Sequence, residues 1–455
     1  MSDVTSTEKP FHLQGNFAPV KDELTETNLE VEGSIPPELT GLYARNGANP
    51  VTGHSDHWFL GNGMVHGVRL DAGQASWYKN RYVRTPFLEN PELSRISNDG
   101  TIDHMLSAAN TSIIQHAGKI LALEEGSFPF ELDGNLDTIG PVTYDGQLTT
   151  AMTAHPKVCG ETGELIFFAY QQLPPYLVYH RATPDGKLVQ STEISVGGPT
   201  MIHDFQITRK HAIFMDLPVI FDLQLAIQGT MPFRWSDDYP ARMGIMPRDG
   251  GDGDVKWFEV NPCYVFHTLN AWDEVGPNGE EKVVFDVCRI SEIWREPGEM
   301  AGDGEQTLHR FTFDLTNGTT KEETLDDRGM DFPCVADARV GLENRYGYTL
   351  QFQLAQEEGA TPGFAGHLQF DMKTGESKLH SYGDGANPGE PYFVPAAGSD
   401  PDSNEGWVMS YVHSDTTGKS EFVIVDATNF DGEPVARIKL PQRVPYGFHG
   451  SWIAD

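Results

Sequence analysis

Residues Glu164–Ala169 read ELIFFA, a run of five apolar residues behind one glutamate. It is too short for a stable helix and rich in the branched and aromatic side chains that suit a buried strand. The same signature returns along the chain at Lys119–Leu123 (KILAL), Val283–Val287 (VVFDV), Tyr346–Phe352 (YGYTLQF) and Phe422–Val425 (FVIV). Turn residues punctuate these runs at Asp133-Gly134-Asn135, Asp185-Gly186, Pro277-Asn278-Gly279 and Asn317-Gly318. Each supplies the positive φ that a tight hairpin requires, so the pattern predicts strands joined by short turns.

At 455 residues the chain is long enough for two or three average domains, but no low-complexity linker divides it and no long helical pattern interrupts the strands. With 47 Gly, 30 Pro and 11% aromatic residues, one closed all-β unit is the simplest reading. A sheet protein of this size has to dispose of its edges, and a β-propeller of four to eight blades does so by radial repetition. Seven blades would take about 65 residues each, above the ~50 of a kelch blade, which leaves loops to cover one face.

The formal net charge of −34 sets the chain against phosphate backbones, so nucleic acid is excluded as a partner. Cys159, Cys263, Cys288 and Cys334 are scattered, form no CxxC pair and follow no secretory signal, which predicts reduced thiols in a cytoplasmic protein. No stretch approaches the ~20 apolar residues of a spanning helix, so membrane contact is expected to be peripheral at most.

Sixteen histidines are present, and four stand among small or apolar neighbours where a buried imidazole needs a partner. They are His155 in Thr153-Ala154-His155-Pro156, His203 in Ile202-His203-Asp204-Phe205, His267 in Phe266-His267-Thr268 and His449 in Gly447-Phe448-His449-Gly450. Their separations of 48, 64 and 182 residues approximate one, one and three blades, as equivalent positions near a propeller axis would give. Such spacing excludes compact local sites of the HExxH or Cys/His finger kind.

These motifs carry a family resemblance. The stretches Asp56–His66, Asn110–Ile113, Thr153–Pro156, His203–Phe205, Phe266–Trp272 and Pro445–Trp452 resemble, in the same order, those of the carotenoid cleavage oxygenases. That family includes apocarotenoid oxygenases, lignostilbene dioxygenases and the retinal isomerohydrolase. The resemblance runs from about Asn16 to Trp452, so residues 1–15 are expected as a tail and 16–455 as a single propeller domain. It implies seven blades, with loops and short helices over one face, and one iron(II) held on the axis by His155, His203, His267 and His449. It also implies that Glu125, Asp331 and Glu390 orient the imidazoles, although the family more commonly has Glu where this chain has Asp331. Thr111 would lie at the reaction site, its methyl restricting access to an open position, and Phe59 and Tyr82 would line the substrate tunnel.

Neutral imidazoles leave the full charge on a divalent ion, and four of them leave up to two positions open on an octahedral one. The implied reaction is cleavage of a C=C bond by O2 to give two carbonyl products, on an apolar conjugated carotenoid or apocarotenoid. A stilbene or phenylpropanoid alkene is the alternative. Phenolic-stilbene cleavers often carry a lysine just before the orienting glutamate, whereas this chain has Glu124. The segment 219–233 resembles the family's tunnel mouth and would be the part that touches a membrane. A non-catalytic propeller binding module and a zinc hydrolase are the readings of other classes.

Overall fold

A computed structural model describes residues 10–97, 100–228, 230–296, 304–353 and 363–455 of the chain. Its strands form a seven-bladed β-propeller, and two short α-helices, Pro86–Glu89 and Leu223–Ile227, stand among the described residues. Counting from the first complete hairpin, the innermost strands are Gly450–Ala454, Ser112–His116, Lys157–Val158, Gln206–Ile207, Tyr264–Val275 and Met330–Cys334. The seventh is split into Ala386–Pro388 and Tyr392–Pro395, both paired with Gly406–Ser414.

Two exchanges close the ring. The C-terminal strand Gly450–Ala454 pairs with Gly41–Arg45 inside the first blade, and Val31–Gly33 pairs with Ala436–Lys439 on the outside of the last. The first and last blades therefore each contain strands from both ends of the chain, and the ring has no open seam.

The core follows from this geometry. Each of seven apolar clusters among the described residues lies between two neighbouring blades. For example, Ile213, Met243 and Ile245 of one blade pack on Val283, Phe285 and Phe311 of the next. Interior strands must therefore be apolar on both faces, which is why ELIFFA reads as a continuous apolar run: Leu165–Ala169 are all buried within the strand Leu165–Tyr170.

Three of the four expected turns place their glycine as predicted, with φ of 82° at Gly186, 88° at Gly279 and 73° at Gly318. The fourth differs, since at Asp133-Gly134-Asn135 the positive φ falls on Leu136, at 68°. Asp133 Oδ1 accepts from Asn135 N at 2.7 Å and Asp137 N at 2.9 Å, which closes the loop on its own side chain. Leu136 is 1% exposed between the first two blades, and that burial offsets the strain of its left-handed backbone.

Residues 1–9 of the expected tail lie outside the described residues. The rest is packed down: Phe11 meets Phe17 edge-on at 5.2 Å, and buried His12 reaches Ser55 O through Nε2 at 2.9 Å. The segment 219–233 holds the strand Val219–Phe221, the helix Leu223–Ile227 capped by Asp222, and the start of the strand Phe233–Trp235, which pairs back on the first. All four cysteines are free. No helix among the described residues is long and apolar enough to cross a membrane.

Candidate metal centre and cavity

Each inner strand begins or is preceded by a residue of the centre. Thr111 precedes Ser112–His116, His155 precedes Lys157–Val158, and His203 precedes Gln206–Ile207. His267 and Asp331 stand near the starts of Tyr264–Val275 and Met330–Cys334, Glu390 sits in the gap of the split strand, and His449 precedes Gly450–Ala454. Seven blades thus bring seven side chains toward one axis.

The four imidazoles present their Nε2 atoms to a common point. His155 and His203 Nε2 are 3.0 Å apart, His203 and His267 3.3 Å, and His267 and His449 3.1 Å, and all four ligand atoms lie within 4.8 Å of one another. Nitrogens about 2.1 Å from a shared ion and at right angles to one another stand about 3 Å apart, so the set fits a divalent transition metal.

Three of the rings are fixed from behind. His267 Nδ1 donates to Asp331 Oδ1 at 2.8 Å and His449 Nδ1 to Glu390 Oε1 at 2.7 Å, and His203 Nδ1 is in ion-pair contact with Glu125 Oε1. The shorter Asp331 therefore reaches its ring directly. His155 is the one ring without a carboxylate partner among the described residues. Burial, followed by the other three rings, pulls His155 well below the ordinary histidine range, and burial with His449 and His203 does the same to His267. Burial also pulls His203 down, but the facing Glu125 carboxylate outweighs it and leaves a net rise. Burial pushes Asp331 up to about 7, against the pull of the Phe332 N–H and of His203 and His449.

Residues that sequence reasoning did not single out complete the surroundings. Tyr170 donates its hydroxyl to Glu125, on the oxygen not used by His203. Phe332, with a strained φ of 54°, stacks on His267 at 5.2 Å. Lys157 Nζ pairs with Asp204 Oδ1 at 2.8 Å, and Asp204 Oδ2 accepts from both Thr268 N and Thr268 Oγ1 at 2.9 Å. Their signal was adjacency: each of the last three lies one or two positions after a histidine of the set.

The centre opens on a cavity of about 1590 Å³. Thr111, Glu125, His203, His267, Asp331 and His449 line it, with an aromatic wall that includes Trp58, Phe59, Phe266 and Phe448. Phe59 packs edge-on against Phe266 at 6.4 Å and Phe448 at 5.8 Å. Asn110 Nδ2 donates to the carbonyls of Phe59 and Gly61 at 3.0 and 2.8 Å, and its Oδ1 accepts from Thr111 Oγ1 at 2.9 Å. The hydroxyl of Thr111 is thereby held by Asn110, and Thr111 itself lines the cavity. Gly63 keeps this wall close, since a Cβ there would lie 1.9 Å from Ala109 O.

Tyr82 is a correction, for it does not line the cavity. Its hydroxyl accepts from Asn49 Nδ2 at 2.6 Å, and its ring is buried with Met64 and Leu88 behind the first blade.

Comparison with known proteins gives a consistent picture. The family model described as retinal pigment epithelial membrane protein matches residues 17–454. A carotenoid cleavage oxygenase of Mycobacterium tuberculosis is 37% identical over 97% of each chain. A carotenoid 9,10(9',10')-cleavage dioxygenase 1 of Arabidopsis thaliana is 33% identical over 98% of this chain and 90% of its own. Among solved structures, the lignostilbene dioxygenase of Pseudomonas brassicacearum superposes with a TM-score of 0.87 at 29% identity over 98% of each chain. Cobalt-substituted Synechocystis apocarotenoid oxygenase does so with 0.83 at 26% identity over 97% of this chain and 98% of that one.

Proposed function

The chain belongs to the carotenoid cleavage oxygenase family and is a dioxygenase, and from that premise we propose that it uses iron(II) to cleave a C=C bond of a carotenoid or apocarotenoid, giving two carbonyl products. The observation that carries this is the convergence of four Nε2 atoms, three of them on rings that line an apolar cavity, with three of the rings anchored by carboxylates.

His155, His203, His267 and His449 would hold one iron per chain. When bound, that ion supplies open coordination positions and the electron chemistry by which O2 reacts with a closed-shell alkene. The protein's part is orientation and exclusion. Glu125, Asp331 and Glu390 face the Nδ1 atoms of three rings, which keeps the lone pairs on Nε2 directed at the centre. Thr111 narrows the space beside them. Phe59 and its aromatic neighbours hold the conjugated chain and keep water from it. Glu390→Gln is expected to lower iron affinity about 10 to 100-fold with the fold intact, read by titration of the apoprotein with iron(II) under anaerobic conditions.

The deciding experiment is anaerobic purification with metal analysis, then oxygen uptake and product mass spectrometry on an apocarotenal, a carotene and a hydroxystilbene. Iron near one per chain with paired carbonyl products from either polyene supports the reading. Tightly bound zinc with no oxygen uptake overturns it. A stilbene or phenylpropanoid alkene is the second reading, favoured by a specific observation: the guanidinium of Arg95 stands beside Glu124 in the cavity wall.

We further propose that the segment 219–233 meets a membrane to collect the substrate. Leu223 and Ile227 are 61% and 69% exposed on its helix, while Met231, Pro232 and Phe233 line the cavity on the way inward. A double replacement of Leu223 and Ile227 by Ser is expected to reduce co-sedimentation with phosphatidylcholine vesicles at least fivefold. Unchanged co-sedimentation would exclude this segment.

A further inference from the structure

Glu124 stands one residue before Glu125, and both line the cavity. Its carboxylate is fully engaged. Oε1 accepts from Arg95 Nη1 at 3.0 Å and Gly126 N at 3.2 Å, and Oε2 accepts from Arg95 Nη2 at 2.8 Å and Ser127 Oγ at 2.7 Å. Arg95 Nε donates to Leu106 O at 2.9 Å. The guanidinium is therefore locked on two sides. Space is kept for it as well: a Cβ on Gly126 would lie 2.2 Å from Arg95 Nη1. The two side chains are 29% and 17% exposed, and both belong to the cavity wall.

A guanidinium has five N–H donors, and these contacts use three. One on Nη1 and one on Nη2 have no partner among the described residues. Because Glu124 already balances the charge, each remaining N–H, one on either flank of the planar guanidinium, is a fixed, directional donor that can take a neutral oxygen without needing an anion. Arg328, the other arginine of this wall, is turned to Asp326 and Ser377.

We propose that Arg95, clamped by Glu124, binds an oxygen at the near end of the conjugated substrate, a carbonyl or a phenol, and thereby selects which double bond reaches the four histidines. This rests on the dioxygenase reading above. A polyene in an apolar tunnel has a register problem: sliding by one double bond leaves its contacts almost unchanged. A polar end breaks that degeneracy, because only one register makes the hydrogen bond and every other sets the donors of Arg95 against hydrocarbon once the substrate has displaced water from the wall.

The test compares matched probes, an apocarotenal against the same polyene ending in hydrocarbon, and 4-hydroxystilbene against stilbene. The variants are Arg95→Lys and the double replacement Arg95→Gln with Glu124→Gln, which removes both charges so that neither is left unpaired. Binding is read from the shift of substrate absorbance, and turnover from KM, kcat and the masses of the products. Expected for iron-loaded, folded double variant is a loss of about 10 to 100-fold in affinity for the oxygen-ended probes, mainly in KM, with products from more than one bond. The hydrocarbon-ended probes should bind as before. The carbonyl and phenol arms decide which oxygen is preferred. Equal losses for both members of a pair, or none, overturn the proposal. Turnover of the hydrocarbon polyene by the wild type tests the dioxygenase reading separately, and absence of turnover with every probe overturns both. If the double variant does not fold, Arg95→Lys gives the same comparison with a smaller change.

Discussion

His267→Ala is expected to abolish iron retention and alkene cleavage together. His267 Nε2 lies 3.3 Å from that of His203 and 3.1 Å from that of His449, so it links two members of the set that are not otherwise within hydrogen-bond distance of each other. Its loss also strands Asp331, which is buried and whose only ring partner among the described residues is His267 Nδ1. The variant would keep three imidazoles and lose both a ligand and its support. Affinity should fall at least 100-fold, beyond the roughly 10 to 100-fold expected from losing a supporting carboxylate alone. Metal-to-protein ratio after anaerobic purification and titration with iron(II) measure it, and circular dichroism checks that the propeller survives. An iron-replete variant that still cleaves would remove His267 from the ligand set.

Much of this centre was legible in the sequence because a propeller converts blade spacing into axial proximity. The interval of 182 residues between His267 and His449 was read as three blades, and the two blade entrances within it carry Asp331 and Glu390. Together with Thr111 and the four histidines they account for all seven. What was not legible has two physical causes. Backbone detail depends on tertiary packing: Leu136 adopts a left-handed backbone because it is buried between blades, and no local pattern announces that. Tyr82 was placed in the tunnel by resemblance alone, and a matching position does not say which side of a blade the side chain takes: here its hydroxyl meets Asn49 and its ring Met64 and Leu88. The second cause is long-range pairing. Arg95 lies 29 residues before Glu124, in a stretch with no motif, and only the folded wall brings them together.

Asp204→Asn is expected to have the second large effect, through a charge that would be left alone. Asp204 and Lys157 are 2% and 14% exposed in their side chains, and neither lines the cavity. Lys157 lies two residues after His155, Asp204 directly after His203, and Thr268, which donates twice to Asp204, directly after His267. The cluster therefore ties three ligand-bearing strands to one another beside the centre. An isosteric amide keeps the shape but withdraws the charge that balances Lys157, and breaking a buried pair in this way costs about 3–5 kcal/mol. Asp204→Asn should accordingly unfold at a clearly lower temperature at a fixed scan rate and bind iron at least tenfold more weakly. Replacing both members, Lys157→Met with Asp204→Leu, leaves no unpaired charge, and buried pairs exchanged for apolar residues of similar volume often lose no stability. The double variant should recover the unfolding temperature but not the iron affinity, because the apolar pair no longer accepts from Thr268 and the three strands lose their common anchor. Recovery of both would show that the pair supports the fold alone. Failure to recover either would mean that the cost lies in packing rather than in charge.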